Sequence, residues 1–584
     1  MIRRLFRQMM IAQVISSMTV TLCMLIDSIV ICRFLGVEAM AAYGYTQPVL
    51  LAFAAPGAMI SAGVQVVCGR TMGRGDREGS DSCFTVSVAL TALISIVGLM
   101  IVLIFSGPIC TLLGAGTPGA ENPVYYLTKD YLTGFMIGVP AFLSAQMMVP
   151  YLQMSGSRTR LVTAVLLMTV LDVALDLINV LVIHGGIFGM GLASSISYYA
   201  ALLVGLGCFI GKGRVFRLRR KGLSLKMLRS IIAGGVPTII NQLSLVFLVL
   251  LLNNLLRSAG GNVAVAAYSV ISTISNLCYA FCNGNSSVAL MMASIFHADE
   301  DRPSLYTLVK VMRQSAIVVL AAVTLVIICA AHPITALFLT DNPDAASLAA
   351  TGLRLFSLCL IPCALNTTFK FYFQGIGRVG LMEIICVLQN FALPAAGALI
   401  LGYLFGTTGL WLCFLFGEGI AWVLICAYVW YFNRRVGTSA EDFALLPPSF
   451  GAPEEDCFEY RITNERQSVE ASSKAIDFCL AHGTDRRIST LIGLCIEEMT
   501  YNTVLHGFGT DDASYTIDVR LVLEDGESII RIRDNCIGFD PIHYHELHRD
   551  DDPIAHIGIR TVVSLAKEAV YLNTFGLNNL TLRL

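Results

Sequence analysis

Charge is scarce in this 584-residue sequence. Only 14% of its residues are Asp, Glu, Lys or Arg, against roughly 25% in an ordinary soluble chain. With 55% hydrophobic residues and a mean hydropathy of +0.71, most of the chain dissolves in something other than water. Paired cysteines are missing too. The 18 cysteines stand singly, mostly inside apolar runs, with no Cys-x-x-Cys pair. That pattern fits buried apolar thiols and excludes a secreted disulfide scaffold. There is no Walker A loop, so an ABC-type engine has no support. Arg3, Arg4 and Arg7 precede an apolar run that is too long for a signal peptide and lacks a small-residue cleavage site, so that run is expected to be a first spanning helix.

What charge there is falls unevenly. The 144 residues from Glu441 onward hold 25 acids and 12 bases, about 26% charged, whereas the first 440 hold 16 acids and 27 bases, about 10%. A basic membrane part followed by an acidic soluble tail is expected, which excludes a single soluble enzyme and a nucleic-acid binder with a basic face.

Apolar stretches of spanning length recur at 9–32, 46–68, 84–106, 131–153, 161–183, 188–210, 231–256, 264–292, 314–331, 352–373, 381–404 and 409–432. The expected fold is therefore a polytopic all-α membrane protein of about twelve helices. Basic residues follow the even-numbered spans: Arg70, Arg74 and Arg77, then Arg158 and Arg160, then the run from Lys212 to Arg229, then Arg434 and Arg435. By the positive-inside rule both termini are cytoplasmic. An internal repeat organises the helices into two six-helix lobes, about 1–211 and 230–435. Gly69-Arg-Thr-Met-Gly73-Arg-Gly75-Asp76 falls on Ser294-Ile-Phe-His-Ala298-Asp-Glu300-Asp301 at an offset of 225, and Tyr151-Leu-Gln153-Met-Ser-Gly156 falls on Tyr372-Phe-Gln374-Gly-Ile-Gly377. Two parallel repeats around a cavity are a common transporter plan.

Few carboxylates sit inside the spans. Asp27 lies in the first; Asp172 and Asp176 share one face of the fifth; Glu383 and Glu418 lie on the eleventh and twelfth. A carboxylate in hydrocarbon is costly unless it meets a cavity or a partner, so each is a functional candidate. The repeat places Asn390 and Pro394 opposite Asp172 and Asp176, so that pair belongs to the first lobe alone.

On these motifs residues 1–435 resemble a multidrug and toxic compound extrusion (MATE) transporter. Leu171-Asp172-Val-Ala-Leu175-Asp176 is similar to the family's Asn-x-x-Leu-Asp-Pro segment, with Asp172 where Asn is more usual and Leu177 where Pro is. The resemblance implies that Asp27 and Asp176, with Asp172 beside them, bind the coupling ion, H⁺ or Na⁺.

Residues 436–455, with Pro447, Pro448 and Pro453, have the composition of a linker. Beyond it, 458–462, 515–523 and 528–533 read as strands and 468–482, 486–506 and 557–568 as helices, an α+β two-layer domain over 456–584. Glu498-Met-Thr-Tyr-Asn502 sets a carboxylate and an amide one turn apart on a helix. Asp534-Asn-Cys-Ile-Gly538 follows a strand, and Ile557-Gly558 opens a helix whose first amides can take phosphate. In that order the three patches resemble the nucleotide boxes of the GHKL ATP-binding fold of histidine kinases and anti-sigma serine kinases. The resemblance implies that Asn502 holds Mg²⁺ against the phosphates of ATP, that Asp534 receives the adenine amino group, and that Gly538 and Gly558 let the backbone approach. Glu498 would orient or deprotonate the attacking group. Cys536 and His556 stand where that family has glycines. His543, His545 and His548, followed by Asp550 to Asp552, fall at the family's mobile lid; a polar solvated lid is expected over a metal site.

Together these features lead us to expect a cation-coupled antiporter that exports small amphipathic, drug-like organic compounds across the plasma membrane, in contact with membrane lipid. A cytoplasmic ATP-binding domain would regulate it, docking its acidic surface on the basic loops at 70–77 and 212–229, and a regulatory protein partner would fit such a domain. The rival expectations are a membrane-tethered anti-sigma-like serine kinase and a lipid-linked sugar flippase.

Overall fold

The computed structural model describes residues 2–113, 115–118, 122–207, 209, 215–219, 222–338, 343–509, 515–524, 526–547 and 557–584. Lys212, Arg214, Arg220 and Lys221 of the expected basic run lie outside the described residues, as do His548, Asp550 to Asp552 and His556.

The first lobe contains α1 (Ile2–Val30), α2 (Val37–Gly73), α3 (Arg77–Ile104), α4 (Ser106–Leu112), α5 (Pro123–Met154), α6 (Arg158–Ile178) and α7 (Gly186–Leu206). The second contains α8 (Leu225–Ala298), α9 (Arg302–Phe338), α10 (Pro343–Ser357), α11 (Leu360–Gly375), α12 (Val379–Val387) and α13 (Leu393–Asn433). Among the described residues nine helices are long and apolar enough to cross a membrane, or ten if α10 and α11, bent by 48°, form one span. That is fewer than the twelve expected stretches because some helices are very long. The 74 residues of α8 amount to ~110 Å at 1.5 Å per residue, far more than a ~30 Å hydrocarbon core. Residues 379–433 likewise run as 55 helical residues, interrupted at Gly406, which has φ 60°.

The repeat is visible in the backbone. α2 ends at Gly73 and α8 at Ala298, the same offset of 225 apart. The left-handed residues that follow, Gly75 and Glu300, keep that offset, and so do the caps. Asp76 accepts from the Gly79 amide at 2.7 Å, and Asp301 from the Ser304 amide at 3.1 Å, each starting the next helix.

At the end of the bundle that carries the tail, the lobes meet closely along α2 and α8. A Cβ on Gly63 would stand 2.1 Å from the Ile231 carbonyl oxygen, and one on Gly73 2.2 Å from that of Ile295. Ser294 Oγ donates to the Gln65 carbonyl at 2.8 Å. Small residues let helix backbones approach where apolar lipid supplies no hydrophobic drive.

The connecting segment after α13 is ordered against the second lobe. α14 (Ala440–Ala444) is followed by Leu445, and Phe443, Ala444 and Leu445 are buried. Tyr372 Oη donates to the Ala444 carbonyl at 3.0 Å and Arg378 to that of Leu445 at 2.9 Å.

The tail is one antiparallel sheet in the order β1-β2-β3-β5-β4, made of β1 (Cys457–Ile462), β2 (Ile517–Glu524), β3 (Glu527–Asp534), β4 (Glu568–Thr574) and β5 (Leu577–Arg583). α15 (Glu465–Ala481), α16 (Arg486–Gly507) and α18 (Ile557–Leu565) share an apolar core with it, and α17 (Pro541–Leu547) lies after β3. The β4–β5 hairpin is absent from the sequence reading, which runs a helix to residue 568. It turns at Phe575 and Gly576, both with positive φ, as a tight hairpin requires.

Candidate functional site

In the first lobe, α1 brings Asp27, and α6 brings Asp172 and Asp176, into one buried cluster. The three are 8%, 5% and 0% exposed, and each lies within reach of the others' charge. Asp172 and Asp176 share a helix face because they are four residues apart. Asp172 Oδ1 accepts from Ser197 Oγ on α7 at 3.1 Å. Among the described residues, both carboxyl oxygens of Asp176 and Oδ1 of Asp27 are buried with no donor in reach besides each other's carboxyl. A buried oxygen of this kind is expensive to leave bare, so it is suited to a proton or a cation. The aromatic wall beside the acids holds Tyr43 edge-on to Tyr131 at 5.2 Å, and Tyr198 against Phe142 at 5.0 Å.

The second lobe is built differently. Glu418 is 7% exposed and saturated by amides: Asn366 Nδ2 donates to its Oε2 at 2.7 Å, and Gln389 Nε2 at 3.0 Å. Glu383 is half-buried on α12. Sequence reasoning passes over Lys370, which is 1% exposed and donates to Asn241 Oδ1 at 2.9 Å. A lysine inside the span 352–373 is a visible signal, since any ionisable residue at that depth qualifies; counting carboxylates alone overlooks it. No group of three or more His, Cys, Asp or Glu among the described residues is arranged to hold a metal ion.

In the tail, the residues of the three patches come together at one end of the layer. Glu498 and Asn502 are half-buried on α16. A Cβ on Gly558, at the start of α18, would fall 2.0 Å from Glu498 Oε2. Asp534 ends β3, and its Oδ1 accepts from the Cys536 amide at 2.9 Å and from Asn578 Nδ2 at 2.8 Å. Burial pushes the Asp534 carboxyl above its ordinary value and pushes the Cys536 thiol up as well. Gly538 is exposed, with Asn578 and Tyr571 nearby. Asn578 comes from the hairpin that sequence reasoning misses. His543 and His545 lie on α17.

The MatE family model matches residues 13–178 and 237–396, one segment in each lobe. The chain belongs to the MatE family. Among curated MatE-like relatives, the multidrug export protein MepA of Staphylococcus aureus (strain MSSA476) is 23% identical over 403 residues, covering 68% of this chain and 86% of MepA. MepA of Staphylococcus haemolyticus is 23% identical over 400 residues, with the same coverage. Solved MATE structures share the fold: one in the straight conformation superposes with a TM-score of 0.68 at 20% identity, covering 74% of this chain and 96% of that one. An outward-facing multidrug resistance MATE transporter gives 0.66 at 20% identity with the same coverage. A transporter of the same superfamily from Pyrococcus furiosus gives 0.65 at 22%, again with that coverage.

Proposed function

We propose that this MatE protein is a cation-coupled exporter of amphipathic organic compounds, driven by H⁺ or Na⁺, in the plasma membrane. The MepA relatives are named for multidrug export, and an aromatic wall beside carboxylates suits lipophilic cations. In this reading each over-long helical stretch covers two crossings, which makes twelve spans in two six-helix lobes, with both termini and the tail cytoplasmic. The observation that carries the coupling is the facing pair of buried carboxyls, Asp27 and Asp176, which no donor of another residue satisfies, beside Asp172. Loading them with H⁺ or Na⁺ changes the charge of a low-dielectric site, and so biases the states that expose it to either side.

The tail is proposed to bind ATP and to regulate transport. Its residues fit a nucleotide. Asp534 lies at a strand end beside the exposed Gly538, and the Glu498 carboxylate stands against Gly558 at the start of α18, so these groups share one end of the layer. Asn502 would hold Mg²⁺, with Glu498 one turn away; bound Mg²⁺ neutralises phosphate charge. Cys536 fills the position of a family glycine and packs against Gly507, so regulation by occupancy is favoured over rapid turnover.

The test is efflux from proteoliposomes under an imposed H⁺ or Na⁺ gradient. Asp27→Asn and Asp176→Asn should each abolish gradient-driven efflux of a cationic dye while the protein still inserts. Wild-type rates in both variants would refute the coupling role. The gradient that drives wild-type efflux identifies the ion.

A further inference from the structure

One face of the tail sheet packs on its helices; the other faces the lobes. Strand alternation puts Asp518 and Arg520 of β2, and Arg531 and Arg533 of β3, on that second face. The register sets Arg520 directly opposite Arg531, a like-charge pair that is destabilising unless anions offset it. The anions come from the turn between α8 and α9. Arg533 reaches Asp299 at 3.1 Å and Asp301 at 3.3 Å; Arg531 reaches Asp299 at 3.2 Å; Arg520 reaches Asp301 at 3.1 Å. Arg531 also donates to the Asp299 carbonyl at 2.6 Å. The two aspartate side chains are only 12% and 9% exposed, so salt screens these pairs far less than surface ones. At this turn the sign is the reverse of that expected from net charge, because the tail docks through its arginines on aspartates of the membrane part; at the loop 70–77 one pair keeps the expected sign, Arg77 with Asp540 of the tail at 3.9 Å.

A second anchor holds the first lobe. The Phe575 amide donates to the Met154 carbonyl at 2.6 Å, and Arg158 donates to the Phe575 carbonyl at 3.0 Å. Gly576 lies so close to Gly156 that a Cβ on Gly156 would stand 2.4 Å from the Gly576 backbone. Between the anchors lies a cavity of about 410 Å³, bordered by Met72, Gly75, Thr307, Leu572 and Phe575. The contact thus combines ion pairs around a cavity with an apolar plug, since Phe575 and Leu577 are buried in the same cluster as Met72, Met154 and Phe296 of the lobes. Under it, α2 and α8 close the lobes on each other.

We propose that the tail is a strap across both lobes, holding them shut on its own side of the membrane, and that each opening on that side requires its release. Contacts made to two bodies at once stabilise only the arrangement in which both are in reach, so the strap favours the closed state by their differential strength. This rests on the transporter reading of the membrane part and is independent of nucleotide binding by the tail.

The experiment uses the full chain in lipid nanodiscs for hydrogen exchange and in proteoliposomes for ethidium efflux. Arg531→Gln with Arg533→Gln cuts the joint from the tail. Asp299→Asn with Asp301→Asn cuts it from the lobe and leaves the tail's own fold untouched; asparagine at 301 can still cap α9. Both pairs should speed amide exchange at Gly69–Gly73 and Ser294–Ala298 by about 5- to 150-fold, the usual span of coupling between sites, and should raise efflux. Combining all four changes should add little, because both pairs break the same contact. Unchanged exchange in both pairs overturns the strap, as does slower efflux with unchanged exchange. Failure of the wild-type chain to bind ATP in titration calorimetry would overturn the nucleotide reading alone.

Discussion

Asp442 governs whether the segment joining the tail to the second lobe stays ordered, and its contribution can be worked out from its contacts. Its side chain is 3% exposed and accepts from the amides of Thr438 and Ser439 at 3.0 Å each, and from Ser439 Oγ at 2.9 Å. Arg435 adds contacts at 2.8 and 2.6 Å. The Arg435 side chain is 66% exposed, so that pair contributes at most about 1 kcal/mol. Losing the capping box costs about 0.5–2 kcal/mol. Asp442→Ala should therefore favour opening of residues 434–446 by about 0.5–3 kcal/mol, or about 2- to 150-fold at 1.4 kcal/mol per tenfold. Trypsin cuts after Arg434 and Arg435, and cleavage tracks the open population when reclosing is fast. Mass-resolved cleavage at these two bonds at pH 8 should rise by that factor. The pH dependence has a definite sign. Burial pushes the carboxyl up, but the Ser439 and Thr438 amides, the Ser439 hydroxyl and Arg435 outweigh it and hold it down at about 2, against an ordinary 3.8. A depressed acid stabilises fully above its unfolded value and loses that contribution as pH falls through its folded one. The gap between variant and wild type should be flat from about pH 5 to 8 and shrink between about pH 4 and 2, read with pepsin. Equal tryptic cleavage of both proteins at pH 8 would refute the reasoning.

Two further outcomes concern the tail. Asp534→Ala should abolish ATP binding by the full chain in titration calorimetry and shift the efflux rate, leaving cation dependence unchanged; retained affinity would remove Asp534 from the site. Gly558→Ala puts a methyl where Glu498 Oε2 now stands. The carboxyl is a movable chain end, so the fold should survive by circular dichroism while ATP affinity falls; unaltered affinity would place the nucleotide elsewhere.

The lobes were legible because a membrane imposes a coarse code: spanning length, scarce charge, and a repeat that fixed the turn after α2 on the turn after α8 down to the capping aspartate. The first-lobe acids were legible for the same reason, since a carboxylate at that depth stands out. Lys370 carried an equal signal that counting carboxylates ignored. The β4–β5 hairpin was missed because Ile557–Leu565 runs into Glu568 with no Gly or Pro between, and its turn signal, Phe575-Gly576, sits close to the chain's end. The docking polarity at the turn between α8 and α9 was beyond reach of net charge. The tail's 25 acids against 12 bases say nothing about which face of a sheet collects the arginines; that needs the register, which pairs Arg520 with Arg531.

The two copies of the turn differ where the tail's arginines meet one of them. Arg74 of the first copy corresponds to Asp299 of the second, and Gly75 to Glu300. Asp76 caps its helix, whereas Asp301 caps its helix and also receives two arginines. The tail is therefore no portable cassette. Grafted onto a two-lobed protein that carries the arginine-bearing version of the turn in both halves, its sheet would meet a positive charge where it needs a negative one, and would be repelled until the host received an aspartate at the position of Arg74's counterpart.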